Sequence, residues 1–395
     1  MKWATATSRR TSMEEAALEC AESVARDLGP GSVSLALAFV TPHFAQFYGR
    51  IPALLEHYLG PETFLGCSGG GVIGGGEEVE RSPALTLVAA RLPDVRVTPF
   101  HVSGRLPDLD GPPDAWEQLV GARAEDDPQF VLLADPFSAR PEALLAGLDY
   151  AFPGAAKIGG LVSGGTSPGL NTLFLNGEVF TSGTVGVAMS GDMAVDTVVA
   201  QGCRPIGGLM SVTACQGNLL HEVDGRPVFE VLQEVFDGLG EGDRALARTA
   251  LFVGVLMDEF QEEPGPGDFL IRNLIGIDPH RGAIAVGENL QEGMRLRFHL
   301  RDAETSAEDL HAVLTGYEKT IRDPTPVSGA LLFSCLGRGE GLYGIPGHDT
   351  DIFHEHLGSV PVGGFFCNGE IGPVGGATFL HGYTSSFGLF RPRSA

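Results

Sequence analysis

The feature that most constrains this chain is where its glycines fall. The sequence contains 56 glycines among 395 residues, and they cluster at the ends of short apolar runs instead of forming a linker. A glycine at the end of a strand lets the chain turn sharply or pass close to another backbone, because it has no Cβ. The pattern therefore predicts strands that end in tight turns.

The same order of elements recurs three times along the chain. Each copy has an apolar run typical of a strand, a stretch with helical spacing, a second apolar run and a closing glycine turn. This order predicts an internally repeated strand–helix–strand–glycine-turn unit, although glycine-rich turns are degenerate enough to resemble one another by chance. The copies begin at residues 34–40, 130–134 and 329–334, and their closing turns are residues 68–76, 162–166 and 367–376.

Other segments have the patterns of antiparallel strands and amphipathic helices. Asn176-Gly177 lies between two strand-like runs and predicts a β-hairpin. Thr305 opens a capping-box pattern followed by an apolar stripe that reaches Ile321, and Pro227 opens another helix. We therefore predict an α+β fold of mixed, antiparallel-rich sheets with helices packed outside, arranged in two similar halves.

Length and turn signals suggest the domain organisation. At roughly 100–200 residues per domain, a chain of 395 residues predicts two large domains or one duplicated domain. We place an N-terminal helix in residues 1–32, a first domain in residues 33–225 and a second in residues 226–392. The adjacent apolar runs 85–92 and 95–102 are expected to form a strand pair within the first domain.

Charge and cysteine usage argue against several classes of function. The chain has 50 acidic and 26 basic residues, and its net charge of −24 would repel nucleic-acid phosphates and an anionic membrane surface. We find no apolar run long enough to predict a transmembrane helix. The six cysteines form no CxxC pair, which is typical of reduced thiols in the cytosol. We therefore expect a cytoplasmic protein without nucleic-acid or membrane partners.

Short motifs occur in an order that resembles a known family. They are FLIRNLIGID at 269–278, CLGRG at 335–339, PVGGFFCNGEI at 361–371, HGYT at 381–384 and, in the first half, GCSGGG at 66–71. Each motif alone is weakly specific, but together they resemble the FIST family, the F-box and intracellular signal transduction proteins. The resemblance covers nearly the whole chain.

The resemblance implies a sensory domain that binds small ligands such as amino acids. Elsewhere the family is attached to chemoreceptor, kinase or F-box modules, none of which is visible here. We therefore expect an intracellular small-ligand-binding protein that passes its signal to a separate protein partner. We expect no cofactor and no metal, since His354 and His356 are two residues apart on a predicted helix and do not share a face.

We assign ligand binding to residues at strand ends and glycine turns. Arg272 and Arg338 carry guanidinium groups that grip a carboxylate with two hydrogen bonds, and Glu370 would hold an ammonium group. This set suits a zwitterion such as an amino acid, while the alternative is that Arg338 and Glu370 only pair with each other. The remaining candidates are neutral residues in or near the same motifs: Asn273, Asn368, Thr384, Ser68 and Gly69.

Two other classes of function remain open from the sequence. A hydrolase or transferase would use a nucleophile at a glycine turn, with Cys67 or Cys335 as the candidates, but no GxSxG motif or matched His/Asp pattern accompanies them. Buried, inert thiols are the default interpretation of both cysteines. A protein-binding module is the third reading, because a sensor without an attached output domain needs a partner.

Overall fold

The computed structural model describes residues 1–278, 282–320 and 326–393. The fold is α+β with mixed sheets, as predicted, and the chain divides into two compact units. Unit 1 comprises Met1–Val199, Val313–Leu380 and Thr384–Ala395, and unit 2 comprises Ala200–Ala312 and His381–Tyr383. These units group residues by contact in space, so their boundaries differ from those of the domains expected at residues 33–225 and 226–392. Those two domains stay a prediction.

The strands are short and numerous. In chain order they are β1 (Lys2–Ser8), β2 (Leu35–Val40), β3 (Phe64–Ser68), β4 (Gly71–Gly74), β5 (Glu77–Glu80), β6 (Leu85–Arg91), β7 (Val95–Val102), β8 (Gln129–Ala134), β9 (Lys157–Leu161), β10 (Leu173–Leu175), β11 (Glu178–Phe180), β12 (Thr184–Gly191), β13 (Ala194–Ala200), β14 (Arg204–Gln216), β15 (Leu219–Val223), β16 (Arg226–Pro227), β17 (Leu251–Leu256), β18 (Phe269–Asp278), β19 (Ala283–Val286), β20 (Arg295–Leu300), β21 (Gly329–Cys335), β22 (Val362–Cys367), β23 (Glu370–Val374), β24 (Ala377–His381) and β25 (Ser385–Arg391).

The helices lie between these strands in the chain. They are α1 (Met13–Leu28), α2 (Ile51–Tyr58), α3 (Asp114–Val120), α4 (Pro141–Ala151), α5 (Val228–Gly238), α6 (Glu241–Ala247), α7 (Ala303–Thr320), α8 (Glu340–Tyr343) and α9 (His348–Leu357), with 3₁₀ turns at Pro42–Arg50, Ala124–Asp126 and Pro266–Asp268. Within the described residues, no helix is long and apolar enough to cross a bilayer.

Local signals place most helix starts correctly. The Ser12 side chain accepts a hydrogen bond from the Glu15 amide and caps α1, and Pro227 directly precedes α5. Helix α7 starts three residues earlier than its capping-box pattern suggests, because Asp302 takes the capping role and its carboxylate accepts from the Thr305 amide at 2.7 Å. The end of its predicted stripe, Ile321, lies outside the described residues.

Three parallel strand pairs stand where the sequence has its recurring pattern. They are β2 with β3, β8 with β9, and β21 with β22, and each pair is joined by a crossover that contains a helix. In each pair, a glycine of the second strand lies so close to its facing residue that any Cβ would strike a carbonyl oxygen. The distance from the added Cβ to the facing carbonyl oxygen would be 2.4 Å for Gly66 and Ala38, 1.8 Å for Gly159 and Leu132, and 1.7 Å for Gly364 and Leu332.

Antiparallel strands complete the three six-stranded sheets of unit 1. Their orders are β1-β6-β2-β3-β10-β11, β24-β23-β9-β8-β12-β7 and β13-β25-β21-β22-β4-β5. The hairpin at Asn176-Gly177 is confirmed as β10 and β11, with Asn176 at a φ of 52°. The expected pairing of β6 with β7 is wrong, because β1 and β2 occupy both edges of β6 and β7 pairs with β12.

Residues 1–32 hold more than the expected helix. The segment before α1 forms strand β1, which pairs along its whole length with β6, from Lys2 opposite Arg91 to Ser8 opposite Leu85. Alternate residues of this strand are buried, so it contributes to the core of unit 1. The N-terminal segment is therefore an integral part of the fold of unit 1.

Unit 2 is a closed antiparallel barrel. Six strands follow the order β14-β20-β17-β18-β19-β15, and β15 pairs back onto β14 to close the ring, with β16 added beside β15. Its apolar interior includes Val253, Leu296 and Phe298. Every strand pair described in the barrel is antiparallel, whereas unit 1 contains the three parallel pairs. The prediction of two similar halves is therefore not confirmed, and the structural equivalence of the three repeated units stays a prediction.

Candidate functional site

The glycine turns that follow β3, β9 and β22 meet within unit 1, and Ser163 links them. Its hydroxyl donates to the Phe366 carbonyl at 2.5 Å and accepts from the Gly70 amide at 2.8 Å. The Ser68 hydroxyl donates to the Ser163 carbonyl at 3.0 Å. These bonds bring together the ends of three strands that belong to three different sheets. We call residues 68–70, 162–166 and 367–369 the glycine-turn surface.

Asn368 is the exposed polar side chain of this surface that the sequence singled out. Its amide group donates to the Val162 carbonyl at 3.0 Å, and its backbone N–H donates to the Leu161 carbonyl at 3.0 Å. Ser68 and Gly69 are buried beneath the surface, whereas Gly164 and Thr166 are exposed. The accessible part of the surface is therefore an amide, a hydroxyl and turn backbone, without a charged side chain.

Arg338 is fully buried and forms an ion pair with Asp349, where the sequence suggested Glu370 as its partner. Its Nε and Nη2 atoms donate to the two carboxylate oxygens at 2.7 and 3.0 Å, and the Ser385 hydroxyl donates to the same carboxylate at 2.5 Å. Burial alone would raise the pKa of Asp349, but the Arg338 charge and these donors hold that pKa well below its usual value. The pair braces the turn after β21 against α9.

Glu370 and Thr384 also lie beneath the glycine-turn surface. The Glu370 carboxylate accepts from the Thr384 amide at 3.0 Å and hydroxyl at 2.7 Å, and its other oxygen accepts from the Cys367 thiol at 3.4 Å. Both residues are buried. Their hydrogen bonds join the start of β23 to the start of β25 and hold the third turn in place.

Arg272 and Asn273 belong to unit 2 and use opposite faces of β18, as consecutive strand residues do. The Arg272 Nε donates to Glu288 at 2.7 Å, and 14% of the Arg272 side chain is exposed. Asn273 is exposed and accepts a hydrogen bond from the Tyr383 hydroxyl. The two neighbours in sequence therefore cannot grip one small ligand side by side.

The structure also shows which further residues build the candidate site. Ser163 opens a Ser-Gly-Gly turn like that of Ser68, so the sequence pattern marks both residues. Asp349 carried no comparable signal, because the pairing of a helix residue with Arg338 depends on how α9 packs. Tyr383 has a φ of 68°, a left-handed conformation that is uncommon for a non-glycine residue.

Of the two cysteine candidates, Cys67 does not have the surroundings of a nucleophile. Cys67 is completely buried, and burial raises its pKa well above the usual value, which disfavours the thiolate. The neighbouring Ser68 hydroxyl is occupied by the Ser163 carbonyl and the Thr172 amide. Cys335 is half-buried and accepts from the Gly337 amide at 3.5 Å. Across the described residues, no group of three or more His, Cys, Asp or Glu side chains is arranged to hold a metal ion.

Comparison with known families agrees with the order of the motifs. Residues 34–226 match the FIST N domain and residues 229–373 match the FIST C domain. These matches cover most of the chain, and it belongs to the FIST family. FIST domains imply a sensory domain of signal transduction.

Relatives of similar length occur in mycobacteria. An uncharacterized protein of Mycobacterium tuberculosis is 35% identical over 386 residues, which is 96% of each chain, and one of Mycobacterium bovis is 36% identical over 380 residues, 95% of each. An F-box/LRR-repeat protein of Arabidopsis thaliana is 28% identical over 143 residues, 32% of this chain and 27% of that protein.

Among solved structures, the crystal structure of cyanuric acid hydrolase from A. caulinodans matches over 100% of both chains. Its sequence identity is 10% and its TM-score is 0.35. A likeness at that level carries no argument about the fold or function of this chain.

Proposed function

We propose that this chain is a cytoplasmic sensory protein that binds a small carboxylate-bearing ligand, such as an amino acid, at its glycine-turn surface. It would pass the signal to a protein partner. The observation that carries the proposal is the convergence of three turns through Ser163, which leaves turn backbone and the Asn368 side chain exposed. Ligand sites in α/β sheets favour the carboxyl ends of parallel strands, where these turns lie.

The proposal gives the candidate residues different tasks. Asn368 contacts the ligand directly, and the turn backbone around Gly164 supplies further polar groups. Five buried residues keep the turns rigid, so that little ordering entropy is lost on binding. They are Ser68, Gly69, Arg338, Glu370 and Thr384.

Arg272 would serve a separate contact in unit 2. Together with Glu288 it presents a guanidinium group beside a carboxylate, and both side chains are partly exposed. This combination suits the carboxylate and the ammonium group of an amino acid. Asn273, on the other face of β18, would contact the ligand only at a different place.

The test is a melting-temperature screen of the full chain with amino acids and small carboxylates. A ligand at about one hundred times its Kd stabilises the folded state by about 2.7 kcal/mol, which corresponds to a rise in Tm of roughly 5 to 10 °C. In Asn368→Ala the rise should fall by more than half, with little change in the Tm of the ligand-free protein.

Asn218→Ala is the matched control. Asn218 is also exposed, and its amide group also donates to a backbone carbonyl, that of Val286 at 3.3 Å, but it lies in the barrel of unit 2. It should keep the full ligand-induced rise. If Asn368→Ala keeps the rise as well, or if no carboxylate raises the Tm, the glycine-turn surface is not the ligand site.

A further inference from the structure

A small cavity lies in unit 1 beyond the carboxyl end of β8, apart from the residues that define the glycine-turn surface. Its volume is about 120 Å³, and it is lined by segments around Val102, Ser138 and Thr184. At roughly 15 Å³ for each water-sized position, such a cavity holds about eight of them. A ligand of about six non-hydrogen atoms fits this space.

The lining has an unusual charge for this protein. The chain has 50 acidic and 26 basic residues, yet the described residues that line the cavity include one cation, Arg140, and no acidic side chain. The Arg140 guanidinium makes no ion pair or side-chain hydrogen bond within the described part of the chain. Two further hollows in the described part of the chain each have carboxylates in their lining, Asp114 in one and Asp27 in the other. The Arg140 cavity therefore favours an anion.

The lining also contains side-chain hydroxyl groups, which define the ligand further. They belong to Ser103, Ser138, Ser182 and Thr184, and the remaining wall includes Leu106 and Leu144. A carboxylate accepts charge-assisted hydrogen bonds from a guanidinium, and hydroxyls bond to a neighbouring oxo or hydroxy group. An ammonium group would find no carboxylate in this lining. The chemistry fits a small oxo or hydroxy acid better than an amino acid of the same size.

One wall of the cavity is hydrogen-bonded to the glycine-turn surface. The Ser138 hydroxyl donates to Asp135 at 2.5 Å, and the other oxygen of that buried carboxylate accepts from the Asn171 amide group at 3.2 Å. Asn171 in turn accepts from the Gly165 amide at 2.8 Å. A ligand that reorients Ser138 would therefore act on the turn that contains Gly165.

We propose that the Arg140 cavity is a binding site for a three- to five-carbon monocarboxylate with an adjacent oxo or hydroxy group. It names a second site, apart from the glycine-turn surface, and a narrower ligand class, and it rests on the proposed function only for the signalling consequence. Arg140 binds the carboxylate, and the hydroxyl groups of Ser103, Ser182 and Thr184 bind the neighbouring oxygen.

The experiment is isothermal titration of the full chain with pyruvate, with L-alanine and with pyruvamide. Alanine matches pyruvate in size but carries an ammonium group, and pyruvamide lacks the carboxylate charge. We expect pyruvate to bind at least tenfold more tightly than either. In Arg140→Gln its affinity should fall ten- to a hundredfold, the range for loss of a charge-assisted hydrogen bond. Because Arg140 is exposed, this variant should keep the wild-type Tm without ligand.

Arg248→Gln is the matched control, since Arg248 is an exposed arginine of unit 2 with no side-chain partner within the described part of the chain. It should bind pyruvate like the wild type. Equal affinity in Arg140→Gln and the wild type, equal affinity for alanine and pyruvate, or no heat with pyruvate at all would each overturn the cavity proposal.

Asn368→Ala separates the two proposals in the same titration. Loss of pyruvate binding in Arg140→Gln but not in Asn368→Ala supports the cavity and counts against the glycine-turn surface as the carboxylate site. The reverse pattern overturns the cavity and supports that surface. Loss in both variants supports both, with the Asp135 connection as the coupling.

Discussion

The ion pair between Arg338 and Asp349 allows a quantitative test of the structure. Arg338→Met removes the guanidinium and leaves the Asp349 carboxylate, which is 1% exposed, in a place that water does not reach. Breaking one side of a buried pair costs about 3 to 5 kcal/mol. Ser334 and Ser385 still donate to the carboxylate, so we expect about 3 kcal/mol. At roughly 2 to 4 °C for each kcal/mol, the Tm should fall by about 6 to 12 °C.

The pH dependence of this loss has a definite sign. In the wild type the pKa of Asp349 lies below its unfolded value of 3.8, so its contribution is present above that value and is lost only as the pH falls through the lower folded pKa. In Arg338→Met, burial without the cation raises that pKa, and the carboxyl group takes up a proton more easily. The difference in stability between the two proteins should therefore narrow as the pH is lowered from about 8 to 5.

Urea unfolding at several pH values measures both effects. The double variant Arg338→Met/Asp349→Leu is the control, because replacing a buried pair by apolar side chains of similar size is often close to neutral. It should recover most of the stability that Arg338→Met loses. A loss below about 1 kcal/mol in the single variant, or a double variant no more stable than the single one, would refute the reasoning.

Two further predictions concern Glu78 and Gly364. Burial and the charge of Asp349 raise the pKa of Glu78 to about 7 from 4.5, so its ionisation destabilises the fold as the pH rises through that interval, by up to about 3 kcal/mol. In urea unfolding, Glu78→Gln should match the wild type near pH 4.5 and exceed its stability at pH 8; an equal difference at both would contradict this. Gly364→Ala should cost about 3 kcal/mol or more in urea midpoint measurements, since its Cβ would lie 1.7 Å from the Leu332 carbonyl oxygen, whereas Gly208→Ala has free space and should change stability by less than about 0.5 kcal/mol.

The architecture was predictable where the signal is local. Glycine at the end of an apolar run, the Asn176-Gly177 turn and the apolar stripe of α5 each report a backbone preference or a buried face that a few neighbouring residues set. The sequence accordingly located three strand–helix–strand segments, a hairpin and the main helices. It also placed Asn368 in a turn, because a polar residue between the end of an apolar run and a glycine is typical of a turn.

Strand neighbours and ion-pair partners from distant parts of the chain could not be predicted from the sequence. Each strand has two edges and many possible neighbours, so nothing local shows that β1 and β2 occupy the edges of β6. A buried charged side chain forms an ion pair with whichever opposite charge the packing places beside it, and for Arg338 that side chain is Asp349. The Arg140 cavity arises in the same way, from three loops that meet in space. Local patterns thus specified the elements and their turns, while packing alone chose the charge partners and formed the cavity.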